Sequence, residues 1–233
     1  MPRHALYIPD LASAGGALTL TGDEARHAVR VKRLRVGDEA LALDGAGQVA
    51  DARVTEAGRS LVLDIGPVRR LDPPSPAVEV WSATPKGPRL ATLVDLLSEV
   101  GAGAWTPMRT ERANIHPSAA RRDRLGRVAV EAMKQCRRGW MLTLGEPSDL
   151  ADALNVGAEV VIADPAGDPY RRVGADRVRL LVGPEGGFTA AELGRARDAG
   201  ARVCRFGPHV MRIEIAAAVA CAIILDAERR QPG

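Results

Sequence analysis

Lysine is nearly absent: Lys32, Lys86 and Lys134 are the only three among 32 basic side chains. Positive charge is therefore carried by arginine, whose planar guanidinium forks onto phosphate oxygens and stacks on bases, although an arginine-rich composition also arises from genome bias alone. Cysteine is scarce too. Cys136, Cys204 and Cys221 stand apart with no CxxC spacing, so neither a zinc site nor a disulfide framework is expected, and a reducing cytoplasm fits. The histidines, His4, His27, His116 and His209, are scattered, none with a His or Cys neighbour at ligand spacing, so no metal is expected. No GxGxxG follows a strand-like run; Gly101-Ala102-Gly103 comes after a helical stretch and lacks the third glycine, which argues against a dinucleotide fingerprint. The start of the chain has no charged-then-apolar leader pattern. The longest apolar run, Ala216 to Leu225, falls well short of the roughly 20 residues a bilayer demands, so a soluble protein with no membrane partner is expected.

What is present suffices for two domains. The chain has 233 residues, 46% of them hydrophobic, and a net charge of only +3. Whole-chain charge therefore says little about a polyanionic partner, but its distribution says more. Between Arg109 and Arg138 nine basic residues face three acidic ones, an excess that suits a polyanion as well as a solvated helix face. A second basic cluster, Arg26 to Arg35, sits on a helix that a Thr21/Glu24 capping box would open at Gly22 and carry through His27. Around it, Leu41 to Leu43, Val49 to Val54 and Leu61 to Ile65 read as short strands parted by turn residues, as in a small β-barrel. Prolines from Gly66 to Pro76 cannot sustain regular hydrogen bonding and mark a linker over about 66–77.

Beyond the linker, strands and helices alternate, the pattern of a parallel sheet. Val78 to Ala83 is a strand, Arg89 to Val100 a helix stopped by Gly101, and Ala104 to Met108 a strand. An arginine-rich helix from Ser118 to about Arg137 follows, then a short helix over Asp149 to Leu154. Glu159 to Ala163 leads into a loop at Asp164-Pro165. The apolar run Leu180 to Val182 breaks into Gly183-Pro184-Glu185-Gly186-Gly187, a loop whose glycines let backbone amides approach a ligand. Thr189 and Glu192 form a capping box for the next helix, which Gly200 ends. A strand over Ala201 to Phe206 then gives way to Gly207-Pro208-His209 and to a long apolar helix beginning near Ile213. Three loops thus meet at the carboxyl edge of one sheet, where open α/β sheets hold ligands.

GPEGGF, followed by a strand, a glycine and Met211-Arg212-Ile213-Glu214-Ile215-Ala216, resembles the C-terminal signature of the RsmE family, SPOUT-class methyltransferases of small-subunit ribosomal RNA. His27 with Arg33 and Gly37-Asp38, Pro85-Lys86-Gly87, and Glu131-Ala132 with Gln135 and Arg138 resemble three further motifs in the same order. The resemblance implies an α/β fold, a SPOUT-type parallel sheet with a C-terminal trefoil knot over 78–233, preceded by a small PUA-like β-barrel over 1–70 that holds RNA. It implies S-adenosylmethionine as cofactor, methylation of N3 of a uridine in 16S ribosomal RNA or the small subunit, and a homodimer. The apolar Ala216 to Leu225 helix agrees with the last, since such a helix must be covered all round. Cofactor contacts would then fall on Val182, Gly183, Pro184, Glu185, Gly186, Gly187, Phe206, Gly207, Val210 and Met211, and RNA contacts on Arg26, His27, Arg33, Lys86 and Arg138. Arg212 would stabilise charge on the uracil carbonyls or hold a phosphate, and Glu214 or Glu185 would accept the N3 proton. Ile213 and Ile215 stand where the family has threonines, which leaves open another RNA target or atom, or an RNA-binding protein that has lost turnover.

Overall fold

The computed structural model describes residues 4–11, 16–115, 122–155 and 157–230. They divide into two compact units, one of residues 1–73 with 130–141, the other of 74–129 with 142–233. Inclusion of 130–141 in the first unit was not legible as a break in composition.

In the first unit the alternating runs form a six-stranded sheet, β1 (His4–Tyr7), β2 (Gly16–Leu20), β3 (Glu39–Leu43), β4 (Gln48–Ala57), β5 (Leu61–Ile65) and β6 (Arg69–Arg70). Its order is β1-β3-β4-β5-β2, with β6 beside β4. The inward positions of β4 and β5, among them Val54, Leu61 and Leu63, join Leu6, Leu11, Ala28 and Leu34 in one core. The linker is more ordered than its prolines suggest, because Arg69 and Arg70 pair with Val49 and Gln48. The helix α1 (Gly22–Arg26) opens where expected and runs into a π-helical turn over His27–Val31. Its capping box does not form: Thr21 makes no cap hydrogen bond, and the Glu24 carboxylate instead accepts from the Tyr7 N–H at 3.2 Å and from Lys134.

Lys134 lies on the long helix α3 (Arg122–Cys136), whose residues from Val130 belong to this unit. It is 3% exposed and donates to Glu24 at 3.0 Å and Glu131 at 2.7 Å, so one charge counted in the basic tract is internal. A buried ammonium persists only with such partners. The expected start of this helix at Ser118 lies outside the described residues.

The second unit carries a sheet ordered β10-β8-β7-β12-β11-β13, with β9 beside β8, and the pairings described are parallel. Its main strands are β7 (Ala77–Ser82), β8 (Ala104–Arg109), β11 (Glu159–Pro169), β12 (Arg177–Val182) and β13 (Arg202–Arg205). The short pieces β9 (Thr143–Leu144) and β10 (Ser148–Asp149) precede α4 (Leu150–Leu154). From Val178 onward β12 is buried at every residue, as a parallel strand covered on both faces must be. The helices α2 (Arg89–Val100) and α6 (Ile213–Arg229) pack on each other, and α6 also packs on β7 and β12. Phe188, Leu150 and Ala196 of α5 (Ala190–Asp198) meet Ile162 and Leu181 in a separate core cluster.

Candidate functional site

The cleft lies where three strands of the second unit stop. After Val182 the chain turns through Gly183–Gly187 before α5, whose start is fixed by a complete capping box: Thr189 Oγ1 accepts from the Glu192 N–H, and Glu192 Oε2 accepts from the Thr189 N–H. Gly183 is closely packed, since a Cβ there would stand 3.0 Å from the Phe188 ring, which would have to shift by a few tenths of an ångström. Gly187 adopts φ +68, a left-handed conformation that L side chains resist. A Cβ on it would meet nothing within 4 Å among the described residues, so its backbone borders open space.

β11 contributes the second wall. Its register against β13 shifts between Ala163 and Asp168, which lets the intervening residues bulge away from the ladder. The strand therefore resumes to Pro169 instead of ending at Ala163 as the sequence suggests. Gly167 permits the bulge, because a Cβ would fall 2.6 Å from the Val203 carbonyl oxygen. The third wall follows β13, with Phe206 through Met211 leading into α6.

Together these segments enclose a cleft of about 260 Å³. Each of Val182, Gly183, Pro184, Glu185, Gly186, Gly187, Phe206, Gly207, Val210 and Met211 lines it, and so do Asp164, Pro165 and His209 of the two loops read from sequence. Ala163, Phe188, Ile213 and Ala216 line it as well, unanticipated. Phe188 could have been found from its place directly after the glycines, and Ile213 and Ala216 from their i, i+3 spacing on one helix face.

Behind the wall, Phe206 stacks on Tyr170 with ring centroids 5.7 Å apart. The Tyr170 hydroxyl donates to Glu228 Oε1 at 2.6 Å, and the same carboxylate accepts from the N–H groups of Val173, Gly174 and Ala175 at 2.7–3.1 Å. Burial pushes the Tyr170 phenol up, and the Glu228 carboxylate adds to the rise. Burial alone would raise the Glu228 carboxyl, but the phenol and the three amides outweigh it and hold it below the ordinary carboxylate value.

The expected catalytic residues are distributed unevenly. Glu185 borders the cleft, largely exposed, with Oε1 at 3.6 Å from Arg89. Arg212 is the exposed N-cap residue of α6 and does not line the cleft. Glu214 does not line the cleft either; it is 4% exposed, and its Oε2 has no hydrogen-bond partner among the described residues. Of the expected RNA contacts, Lys86 is exposed just past β7 in the second unit, whereas Arg26, His27, Arg33 and Arg138 belong to the first. Arg26 and Arg33 are exposed, Arg26 pairing with Asp23. His27 is half-buried, with Nε2 at 4.0 Å from Glu131, and Arg138 is half-buried.

The model of the RNA methyltransferase domain family matches residues 73–225, and that of the RNA methyltransferase PUA domain matches 20–65. Ribosomal RNA small subunit methyltransferase E of Mycobacterium bovis is 33% identical over 235 residues, spanning 94% of this chain and 89% of the relative. The chain belongs to the RsmE family. A Synechocystis RsmE is 28% identical over 89% of this chain and 72% of its own length. Among solved structures, an RsmE from Neisseria gonorrhoeae bound to S-adenosyl methionine superposes with a TM-score of 0.85 at 24% identity, covering 95% of this chain and 96% of that one. A probable rRNA-methyltransferase from Porphyromonas gingivalis gives 0.82 at 27% identity, covering 97% and 98%. The fold is thus the SPOUT-type α/β fold with a PUA-like domain, and the RNA methyltransferase match takes in all three walls of the cleft.

Proposed function

We propose that this RsmE-family protein binds S-adenosylmethionine in the cleft and methylates N3 of a uridine in 16S ribosomal RNA. The observation that carries the reading is the cleft itself, a main-chain-rich pocket at the carboxyl edge of a parallel sheet with Phe206, Val210 and Met211 on its apolar side. Main-chain groups of the Gly183–Gly187 loop that are not already engaged suit the polar edge of an adenine and a ribose diol, and the apolar wall suits the adenine faces. When bound, S-adenosylmethionine supplies an electrophilic methyl group.

The residues of this chain have two tasks. One is to hold the uracil in line, which contributes up to about 7–11 kcal/mol for well-oriented reactants. The other is to take the N3 proton and support the resulting imidate. Either Glu185 or Glu214 would take the proton: Glu185 borders the cleft but faces Arg89, whereas Glu214, between the cleft-lining Ile213 and Ala216, does not itself line the cleft and keeps Oε2 buried and unpartnered among the described residues. Arg212, one residue before α6, would oppose negative charge on a uracil carbonyl or hold a phosphate. Arg26, His27, Arg33, Lys86 and Arg138 would meet RNA phosphates.

A homodimer belongs to the same proposal, supported by exposed Ile215 and Ile223 on α6. So does the trefoil knot, supported by the return of α6 from the sheet-edge strand β13 to β7 and α2. The cytoplasm is the compartment where such a substrate is met, and among the described residues no helix is long and apolar enough to cross a membrane.

The test is transfer of a labelled methyl group to small-subunit particles and to naked 16S RNA, followed by nucleoside analysis. Label in 3-methyluridine is expected. Label in another nucleoside would leave methyl transfer standing and overturn the N3 assignment, and RNA binding without incorporation would favour a protein that has lost turnover.

A further inference from the structure

The glycine loop is held from outside the cleft by a segment that nothing above assigns a role. Just past β8, Arg112 Nη1 donates to the Gly186 carbonyl at 2.7 Å and, more weakly, to the Phe188 carbonyl at 3.4 Å. The two acceptors flank Gly187, the residue of the loop with positive φ. A single guanidinium therefore holds the peptide that enters Gly187 and, one residue further on, the peptide that follows Phe188, on either side of the one bend that glycine alone adopts freely. The Arg112 stem packs there too, since a Cβ on Gly186 would lie 3.5 Å from Arg112 Cδ.

The neighbouring residue is fastened as firmly. The Glu111 N–H donates to Glu192 Oε1 at 2.9 Å, and the Glu111 carboxylate accepts from Arg195 at 3.1 Å. Glu192 is 1% exposed and uses its other oxygen on the Thr189 N–H, so one buried carboxylate closes the α5 cap and ties Glu111 to it. Arg112 itself does not line the cleft. Carbonyls engaged by Arg112 on the outer side cannot turn inward, and the Gly187 N–H is itself spent on the Pro184 carbonyl at 2.8 Å, so the loop amides left to meet a ligand are those of Glu185 and Gly186.

We infer that Arg112 is a positioning residue, holding the Gly186 and Phe188 carbonyls outward so that Gly183–Gly187 presents a preformed main-chain surface to the methyl donor. The inference rests on the proposed binding of S-adenosylmethionine in this cleft. Its natural rival is that an exposed arginine in a basic tract serves only to contact RNA.

Arg112→Met and Arg112→Lys separate the two. For Arg112→Met, calorimetry is expected to show roughly tenfold weaker S-adenosylmethionine binding, with KM for the donor raised and kcat at saturating donor changed less than about twofold, the pattern of lost ground-state organisation. The KM for RNA should stay within about twofold, and Arg112→Lys should recover part of the donor affinity. Hydrogen exchange in the protein without donor should speed up at the amides of 183–189 while α2 and α6 keep their protection. Unchanged donor affinity and unchanged exchange, or a rise in the RNA KM alone, would overturn the inference. Wild-type protein that binds no donor, with Arg112→Met still speeding exchange in the loop, would fail the cleft reading while leaving the loop-holding role intact.

Discussion

At the scale of single residues, the sharpest demands come from backbone geometry and from buried charge. Gly167→Ala drives a methyl against the Val203 carbonyl, and since that neighbour is backbone it cannot swing away. A loss of about 2–3 kcal/mol in denaturant unfolding is expected, with weaker donor binding because the bulge shapes one wall. Glu228→Gln should lower stability by about 1–2 kcal/mol at neutral pH, since a neutral amide accepts less strongly from one hydroxyl and three amides. The pH dependence has a definite sign. The folded carboxyl titrates below its ordinary value near 4.5, so its contribution is complete above that pH and is lost as pH falls through the depressed folded value. Melting temperatures of wild type and variant should therefore stay parted above the ordinary carboxylate value and converge as pH falls through the depressed folded one. Lys134→Met should cost about 2 kcal/mol, because Glu24 and Glu131 lose their shared counter-ion but remain partly in contact with water.

At the scale of elements, two threonines make a controlled pair. Both Thr21 and Thr189 precede a helix and have glutamate three residues on, and sequence alone reads a capping box at each. Only Thr189 closes one. Thr189→Ala should cost about 1 kcal/mol, whereas Thr21→Ala should stay within about 0.5 kcal/mol, measurable side by side by urea titration. The difference shows where sequence reading stops. The cap at Thr189 is a local contact between neighbours, but Glu24 is claimed by Lys134, distant in sequence and buried by the fold, and no local pattern reports that competition. The same boundary runs through the site. Strand ends followed by glycine or proline gave away the three loops, apolar residues at helical spacing gave away α2, and a nearly unbroken apolar run gave away α6. The β11 bulge was invisible because its cause is a register shift against β13, and Arg112 looked like one charge among nine.

At the scale of the whole molecule, α6 is the element that neither sheet nor neighbouring helix fully covers. Ile215 is 42% exposed and Ile223 39%, the two large apolar side chains that α6 leaves in water among the described residues. Ile215→Arg with Ile223→Arg should convert the proposed homodimer to a 24.7 kDa species in light scattering. A wild type already at that mass would remove the dimer from the proposal.

The floor of the cleft is peptide, and peptide is what mutation cannot edit. Amides and carbonyls of Gly183–Gly187 stay chemically the same whatever codon drifts nearby, so polar recognition there is insulated from sequence change, and only shape, set by rings such as Phe206, stays open to selection. For the proposed donor site, that insulation tells a designer seeking altered donor analogues to recut the aromatic wall and leave the glycines alone.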